Sequence, residues 1–149
     1  MKRIKFPHHK IVLIDDEDLH YFKHQKWTVM KSNYLECSVG SVRILFHRLI
    51  MNAPEGSDID HINHNILDNR KCNLRICSTQ QNLQNSHKRK DNTSRYKGVC
   101  KSGKKWSATI QINGKRKNLG TFESPKFAAI AYNLAAKKYF KEFAYLNKI

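Results

Sequence analysis

No stretch of this chain approaches the roughly 20 consecutive apolar residues that a membrane-spanning helix requires. Behind the basic start Met1-Lys2-Arg3 there is no apolar core of the kind that makes a secretory signal. The sequence is therefore read as intracellular, not secreted, and without a membrane partner. Its four cysteines, Cys37, Cys72, Cys77 and Cys100, include no paired C-x-x-C knuckles. That spacing argues against structural zinc and leaves free, partly buried thiols as the expectation. Acid is scarce too: 12 Asp and Glu stand against 28 Lys and Arg, a formal net charge of +16. The shortage is concentrated. Residues 1–85 carry 12 basic and 9 acidic side chains, whereas residues 86–149 carry 16 and 3. Each Lys or Arg set against a phosphate releases condensed counter-ions, so this excess points to a nucleic-acid partner rather than to solubility alone. No protein partner is implied.

Three stretches separate along the chain. In the first, Ile11-Val12-Leu13-Ile14 reads as a short buried strand, and Asp15-Asp16-Glu17-Asp18 places acid at a helix N-terminus, where the dipole favours it. Val42, Ile44 and Phe46 alternate with Arg43 and Leu45 as a second strand would, and His47-Arg48-Leu49-Ile50-Met51 reads as a short helix. Residues 58–87 hold a loop dense in Asp, His and Asn, then Leu74-Arg75-Ile76, then a helix start at which Ser78 and Gln81 form a capping-box pattern. Residues 86–94 contain no large apolar residue, and 88–93 is the expected basic linker. From residue 94 the period changes. Trp106, Ala108, Ile110 and Ile112 alternate with polar residues, Asn113-Gly114 gives a hairpin turn, and a return strand covers about 115–122. Ser124 and Pro125 then open a helix whose inner stripe is Ala128, Ala131, Tyr132 and Ala135. These patterns predict three antiparallel strands with one helix across a face.

The chemistry-bearing residues are Asp60-His61, Asn73 and Asn82, in the order strand, loop, strand, helix. Phosphodiester hydrolysis needs an activated water, charge stabilisation on the phosphoryl oxygens and help for the leaving 3′ oxygen. His61, neutral near pH 7, suits the general base. Asp60 and the side-chain carbonyl of Asn82 are hard oxygen donors, suited to Mg2+ or Mn2+ rather than zinc. Two protein ligands are ordinary for Mg2+, which keeps waters and takes substrate oxygens. Asn73 can hold the second imidazole nitrogen. Asn and Asp are also common in loops for local turn-making, the structural alternative for each of these residues taken singly. His47 either braces this loop or simply packs in the core. The other histidines read as surface residues. Arg70, Lys71 and Arg75 border the loop and could grip flanking phosphates, with plain surface charge as the alternative.

Together, Asp60-His61-Ile62-Asn63, Leu67-Asp68-Asn69-Arg70, Asn73-Leu74-Arg75 and Thr79-Gln80-Gln81-Asn82 resemble the signature of HNH endonucleases, particularly the phage-type branch with Asn as the third letter. The intervals of twelve residues from His61 to Asn73 and nine from Asn73 to Asn82 match its ββα-metal pattern. Asp15-Asp16-Glu17-Asp18, Trp27 and His47-Arg48-Leu49-Ile50 resemble the N-terminal lead-in of the same proteins. The resemblance implies His61 as general base, Asp60 and Asn82 as metal ligands and Asn73 as the orienting residue.

Downstream, Ser94-Arg95-Tyr96-Lys97-Gly98-Val99, Lys105-Trp106, Leu119-Gly120-Thr121-Phe122, Ala128-Ala129-Ile130-Ala131-Tyr132-Asn133 and Ala144-Tyr145-Leu146-Asn147 resemble the Apetala-type DNA-binding domain, which also occurs fused to phage HNH nucleases. In that family the sheet enters the major groove. The alternation leaves Thr109, Gln111, Arg116 and Asn118 on the open face, and Arg116 and Gln111 have the fork geometry for guanine and adenine edges. The plant target sequence does not transfer, because Thr109, Gln111 and Asn118 replace plant Arg and Trp positions. Asn133 stands where Asp is usual, and Lys141-Glu142 where Gly is usual. Lys97, Lys101 and the linker residues Lys88, Arg89 and Lys90 complete the expected DNA-contacting set.

The sequence thus predicts an α+β protein: an HNH nuclease module over 1–87 with its catalytic core at 58–87, a linker at 88–93 and a DNA-binding domain at 94–149. The expected activity is metal-dependent, sequence-targeted cleavage of double-stranded DNA, homing-type, in the cytoplasm of a bacterial or phage-infected cell. The alternative is a non-catalytic DNA-binding regulator with a degenerate HNH module. An RNA-directed nuclease is disfavoured by the lack of exposed aromatic stacking positions.

Overall fold

Lys2–Phe6 (β1) and Lys10–Ile14 (β2) pair antiparallel in a computed structural model of the chain, which describes residues 1–86 and 93–149. Alternation buries Val12 and Ile14 completely on one face of β2. The other edge of β2 receives a distant loop: Leu13 N donates to Leu67 O at 2.8 Å and Asn69 N donates to Leu13 O at 2.8 Å. After β2 comes a 3-10 helix, Asp16–His20, with three acids in its first turn, then a single α-helical turn at Tyr21–His24 (α1). Thr28–Val29 (β3), Leu35–Val39 (β4) and Val42–Leu45 (β5) form a sheet of order β3-β4-β5. The expected alternation through Phe46 stops one residue early. Phe46 instead opens a helix, Phe46–Ile50 (α2), and reaches the core from there, fully buried, while Val42 on β5 is exposed. Trp27 meets Phe46 edge-on at 4.9 Å, and its indole N–H donates to Tyr21 O at 3.0 Å, satisfying the polar end of a buried ring. Asp58–His61 (β6) and Leu74–Cys77 (β7) then form a separate antiparallel pair, with the short 3-10 helix Lys71–Asn73 before β7.

The chain packs as two compact units, Met1–Thr79 and Gln80–Ile149. This division lies at the start of helix Thr79–Asn85 (α3), earlier than the linker expected at 88–93. A local reason is Lys97, whose ammonium donates to Gln84 O at 2.7 Å and Ser86 O at 2.6 Å, tying the end of α3 to the second unit. Burial lowers the Lys97 pKa to about 8. The linker itself lies outside the described residues.

The second unit contains the predicted sheet. Val99–Ser102 (β8), Lys105–Ile112 (β9) and Lys115–Phe122 (β10) are ordered β10-β9-β8, and Pro125–Phe140 (α4) crosses one face. Ser124 Oγ accepts from Lys126 N at 3.2 Å, the N-cap bond its position predicts. Ala128 and Ile110 are essentially buried, and the alanines let α4 lie close to the sheet. Asn147 fastens the C-terminal segment by accepting from Lys97 N at 2.7 Å and donating to Lys97 O at 3.1 Å. Asn133 in turn donates to Asn147 O and accepts from Asn147 N, a two-way bond that an aspartate could not make. Among the described residues no helix is long and apolar enough to cross a membrane.

Gly98 is required for the approach of α4 to the sheet. It has φ of +73°, and a Cβ there would lie 2.1 Å from Tyr132 Cδ2 and 2.6 Å from Thr109 O. Gly98→Ala is expected to destabilise the protein by about 3 kcal/mol or more, from overpacking combined with left-handed backbone strain. Urea or thermal unfolding of the variant checks this; an unchanged transition contradicts it.

Candidate active site

Strand pairing sets the first contacts. Asp60 stands opposite Arg75 and His61 opposite Leu74 in the β6–β7 register. Asp60 and His61 are both buried. Beyond His61 the chain turns through a loop rich in Asn and Asp, at positions 63, 65, 68 and 69. Asn63 Oδ1 accepts from Asn65 N at 2.8 Å, Asn65 Oδ1 accepts from Leu67 N at 3.1 Å, and Asn63 Nδ2 donates to Asp68 Oδ2 at 2.8 Å. These local turns are why the loop is so rich in short amides.

Asn73 was expected to hold the imidazole, and the structure gives its side chain another task. Asn73 Oδ1 accepts from Asn63 N at 3.0 Å and Asn73 Nδ2 donates to Asp68 O at 2.8 Å, clamping both ends of the loop. The amide whose nearness favours the charged form of the His61 ring is Asn69, which is fully buried. Sequence reasoning missed Asn69 because it is one of several loop asparagines, and its placement depends on the backbone bridge to Leu13, far away in the chain. On the other side, His47 meets His61 edge-on with ring centroids 5.4 Å apart, and Tyr34 lies 5.2 Å from His47 and 6.4 Å from His61. His47 is buried and packs against the His61 ring, a contact that suits both of the roles its position allowed. Arg48 secures the approach to β6 by donating to Ser57 O at 2.6 Å and Pro54 O at 3.0 Å.

Burial pushes the His61 pKa below its ordinary value, opposed by the nearby Asn69 amide and by the charges of Asp60 and Asp68. Burial, with the neighbouring His61 and Arg48 charges, lowers His47 to about 4. Both rings are thus neutral near pH 7. Among the described residues no group of three or more His, Cys, Asp or Glu gathers as a metal cage. The four cysteines are free, with Cys37 and Cys77 buried. Asn82 lies in the first turn of α3, in the second unit.

The basic residues expected at phosphates fall into two groups. Near the loop each is ion-paired. Arg70 donates through Nε and Nη2 to the two oxygens of Asp68 at 2.7 and 2.6 Å, Lys71 pairs with Glu17 and Asp18, and Arg75 pairs with Asp60. In the second unit Lys97 is committed to backbone carbonyls, whereas Lys101, Gln111, Arg116 and Asn118 are exposed and Thr109 is partly so. Thr109, Gln111 and Arg116 line a groove of about 760 Å³ together with Gln80, Leu83 and Gln84 of α3. Asn118 caps the bulge in β10 by accepting from Gly120 N at 2.9 Å. Lys88, Arg89 and Lys90 lie outside the described residues.

No family model matches the chain. Over 130 residues, 83% of its length, it is 37% identical to the uncharacterized HNH endonuclease L560 of Acanthamoeba polyphaga mimivirus, covering 67% of that protein. The chain belongs to the HNH endonuclease family. It is also 37% identical over 67 residues to Protein 3.8 of Escherichia phage T7, a match covering 44% of this chain and 55% of that protein. As an HNH family member the chain is a nuclease, and the buried Asp60–His61 pair is its candidate centre.

Two measurements test these electrostatics. Asn69→Ala removes the amide that favours the charged ring, so the His61 pKa should fall further, as read by NMR titration; a rise contradicts the assignment. For His47, the unfolded chain takes up a proton near pH 6.5 while the folded chain resists until about 4. Its neutral ring therefore costs no stability above pH 6.5, and stability falls as pH drops from 6.5 towards 4, by up to about 1.4 kcal/mol per pH unit. His47→Gln should show a shallower loss over that window in unfolding experiments, and an equal slope contradicts the account.

Proposed function

We propose that this nuclease is a metal-dependent DNA endonuclease of homing type, which cuts or nicks duplex DNA at sites selected largely by its C-terminal Apetala-type domain. The observation that carries this reading is the buried Asp60–His61 pair at the end of β6, with a neutral imidazole packed against His47. A neutral, positioned histidine can take a proton from water as that water attacks phosphorus, and the bond to the 3′ oxygen then breaks. Asn69 and His47 keep the ring in place, so little reorganisation is needed as charge develops. Asn73 acts one step further out by holding the loop that supplies Asn69.

Asp60 would be a ligand of the metal, and the family resemblance adds the carbonyl oxygen of Asn82 as a second. A hard carboxylate and an amide oxygen without thiolate suit Mg2+ or Mn2+ rather than zinc, and Mg2+ ordinarily takes one or two carboxylates with waters and phosphate oxygens completing its shell. When bound, such an ion neutralises phosphoryl charge and polarises the leaving group. In the second unit, the exposed Gln111 and Arg116 side chains project from the sheet, consistent with reading base edges. The net positive charge of that half supports attachment to the backbone.

Single-turnover cleavage by substituted proteins tests the site. His61→Ala should lower the rate on the order of 10²–10⁴-fold while leaving DNA affinity nearly unchanged, because the base acts in the transition state. Asp60→Asn should lose activity, and EDTA should silence the wild type. Wild-type cleavage by His61→Ala, or cleavage insensitive to EDTA, contradicts the proposal.

A further inference from the structure

Arg75 and Asp60 form the most enclosed ion pair that joins β6 to β7. Their side chains are 16% and 6% exposed, and both arginine donors converge on one carboxylate oxygen: Nε at 2.8 Å and Nη2 at 2.6 Å from Oδ2. The pairing is fixed by strand register, since the two residues are direct antiparallel partners. The neighbouring pairs differ in that neither Asp68 nor Glu17 is a proposed metal ligand. A buried carboxylate without a counter-ion is unfavourable, and its Coulomb interactions are stronger there than in water. Arg75 meets that requirement without a metal. A divalent ion arriving at the same carboxylate adds two positive charges beside the guanidinium, which then repels the ion or gives up its bond.

We propose that Arg75 is the internal counter-ion of Asp60 and holds down the divalent-metal affinity of the DNA-free protein by competing for its carboxylate. This rests on the reading of Asp60 as a metal ligand. It differs from the phosphate-gripping role that the sequence position suggested, and it makes Arg75 a positioning residue for the metal site.

The test is Mn2+ binding by the full chain without DNA, followed by the loss of the free-ion EPR signal. Arg75→Gln should bind Mn2+ about tenfold more tightly or better than wild type, as expected for removal of one charge at contact distance. Arg75→Lys, which keeps the charge, should stay near the wild-type value. Equal or weaker binding by Arg75→Gln overturns the proposal. Should Arg75→Gln be unfolded in metal-free buffer, Mn2+ should restore its thermal transition, by the linkage of binding to folding; failure to restore it also overturns the proposal. Asp60→Asn separates the two claims. If wild-type Mn2+ binding survives Asp60→Asn, the ligand assignment fails and the proposal with it; if binding is lost but Arg75→Gln gives no gain, only the role of Arg75 fails.

Discussion

Two backbone hydrogen bonds between β2 and the Leu67–Asn69 segment underlie the arrangement of the candidate site. They join stretches more than fifty residues apart and turn the edge of the first hairpin into a platform for a loop whose Leu67 packs on the first core. Asp68 and Asn69 are buried with this docking; Asn63 and Arg70 satisfy the Asp68 carboxylate, and Asn69 Nδ2 donates to Ile66 O. Asn73 closes the loop from one side and Arg70 neutralises Asp68 from the other. The Asn69 contact to His61 follows from that construction. Removing the bridge would leave His61 with the same sequence neighbours and no fixed surroundings.

Charge is used differently in the two units. In the first, basic and acidic residues are nearly balanced, and the cations beside the site are matched to specific carboxylates. Such pairs fix geometry more than they add stability, since the cost of burying a carboxylate offsets much of its attraction to the cation. In the second unit acids are few, and among the described residues the cations of strand β10 make no ion pair with a carboxylate, so the field of that half extends into solvent.

Much of this organisation is legible in the sequence, and the remainder is hidden for identifiable reasons. The β9–β10 hairpin, its Asn113-Gly114 turn and the Ser124-capped helix are local patterns, and each occurs where its period and capping residues predict. Asp60 and His61 lie at the end of a strand as expected. The hidden features are all long-range. Nothing in the alternation around residue 46 indicates that Phe46 enters the core from a helix, because buried positions in a strand end and a helix start look alike. Asn69 and Asn73 have the same chemistry, and only the tertiary bridge decides which of them meets the imidazole. Arg75 reads as a surface cation until its register partner is known to be Asp60.

The central claim is that the Asp60–His61 pair hydrolyses DNA. Incubating purified wild-type protein with supercoiled plasmid and Mg2+, then resolving the products on a gel, tests it most directly. The account predicts relaxed or linear DNA in the presence of Mg2+ and intact supercoils when EDTA is added. Plasmid that stays supercoiled with Mg2+ and Mn2+, while the same protein retards duplex DNA in a binding gel, would contradict it.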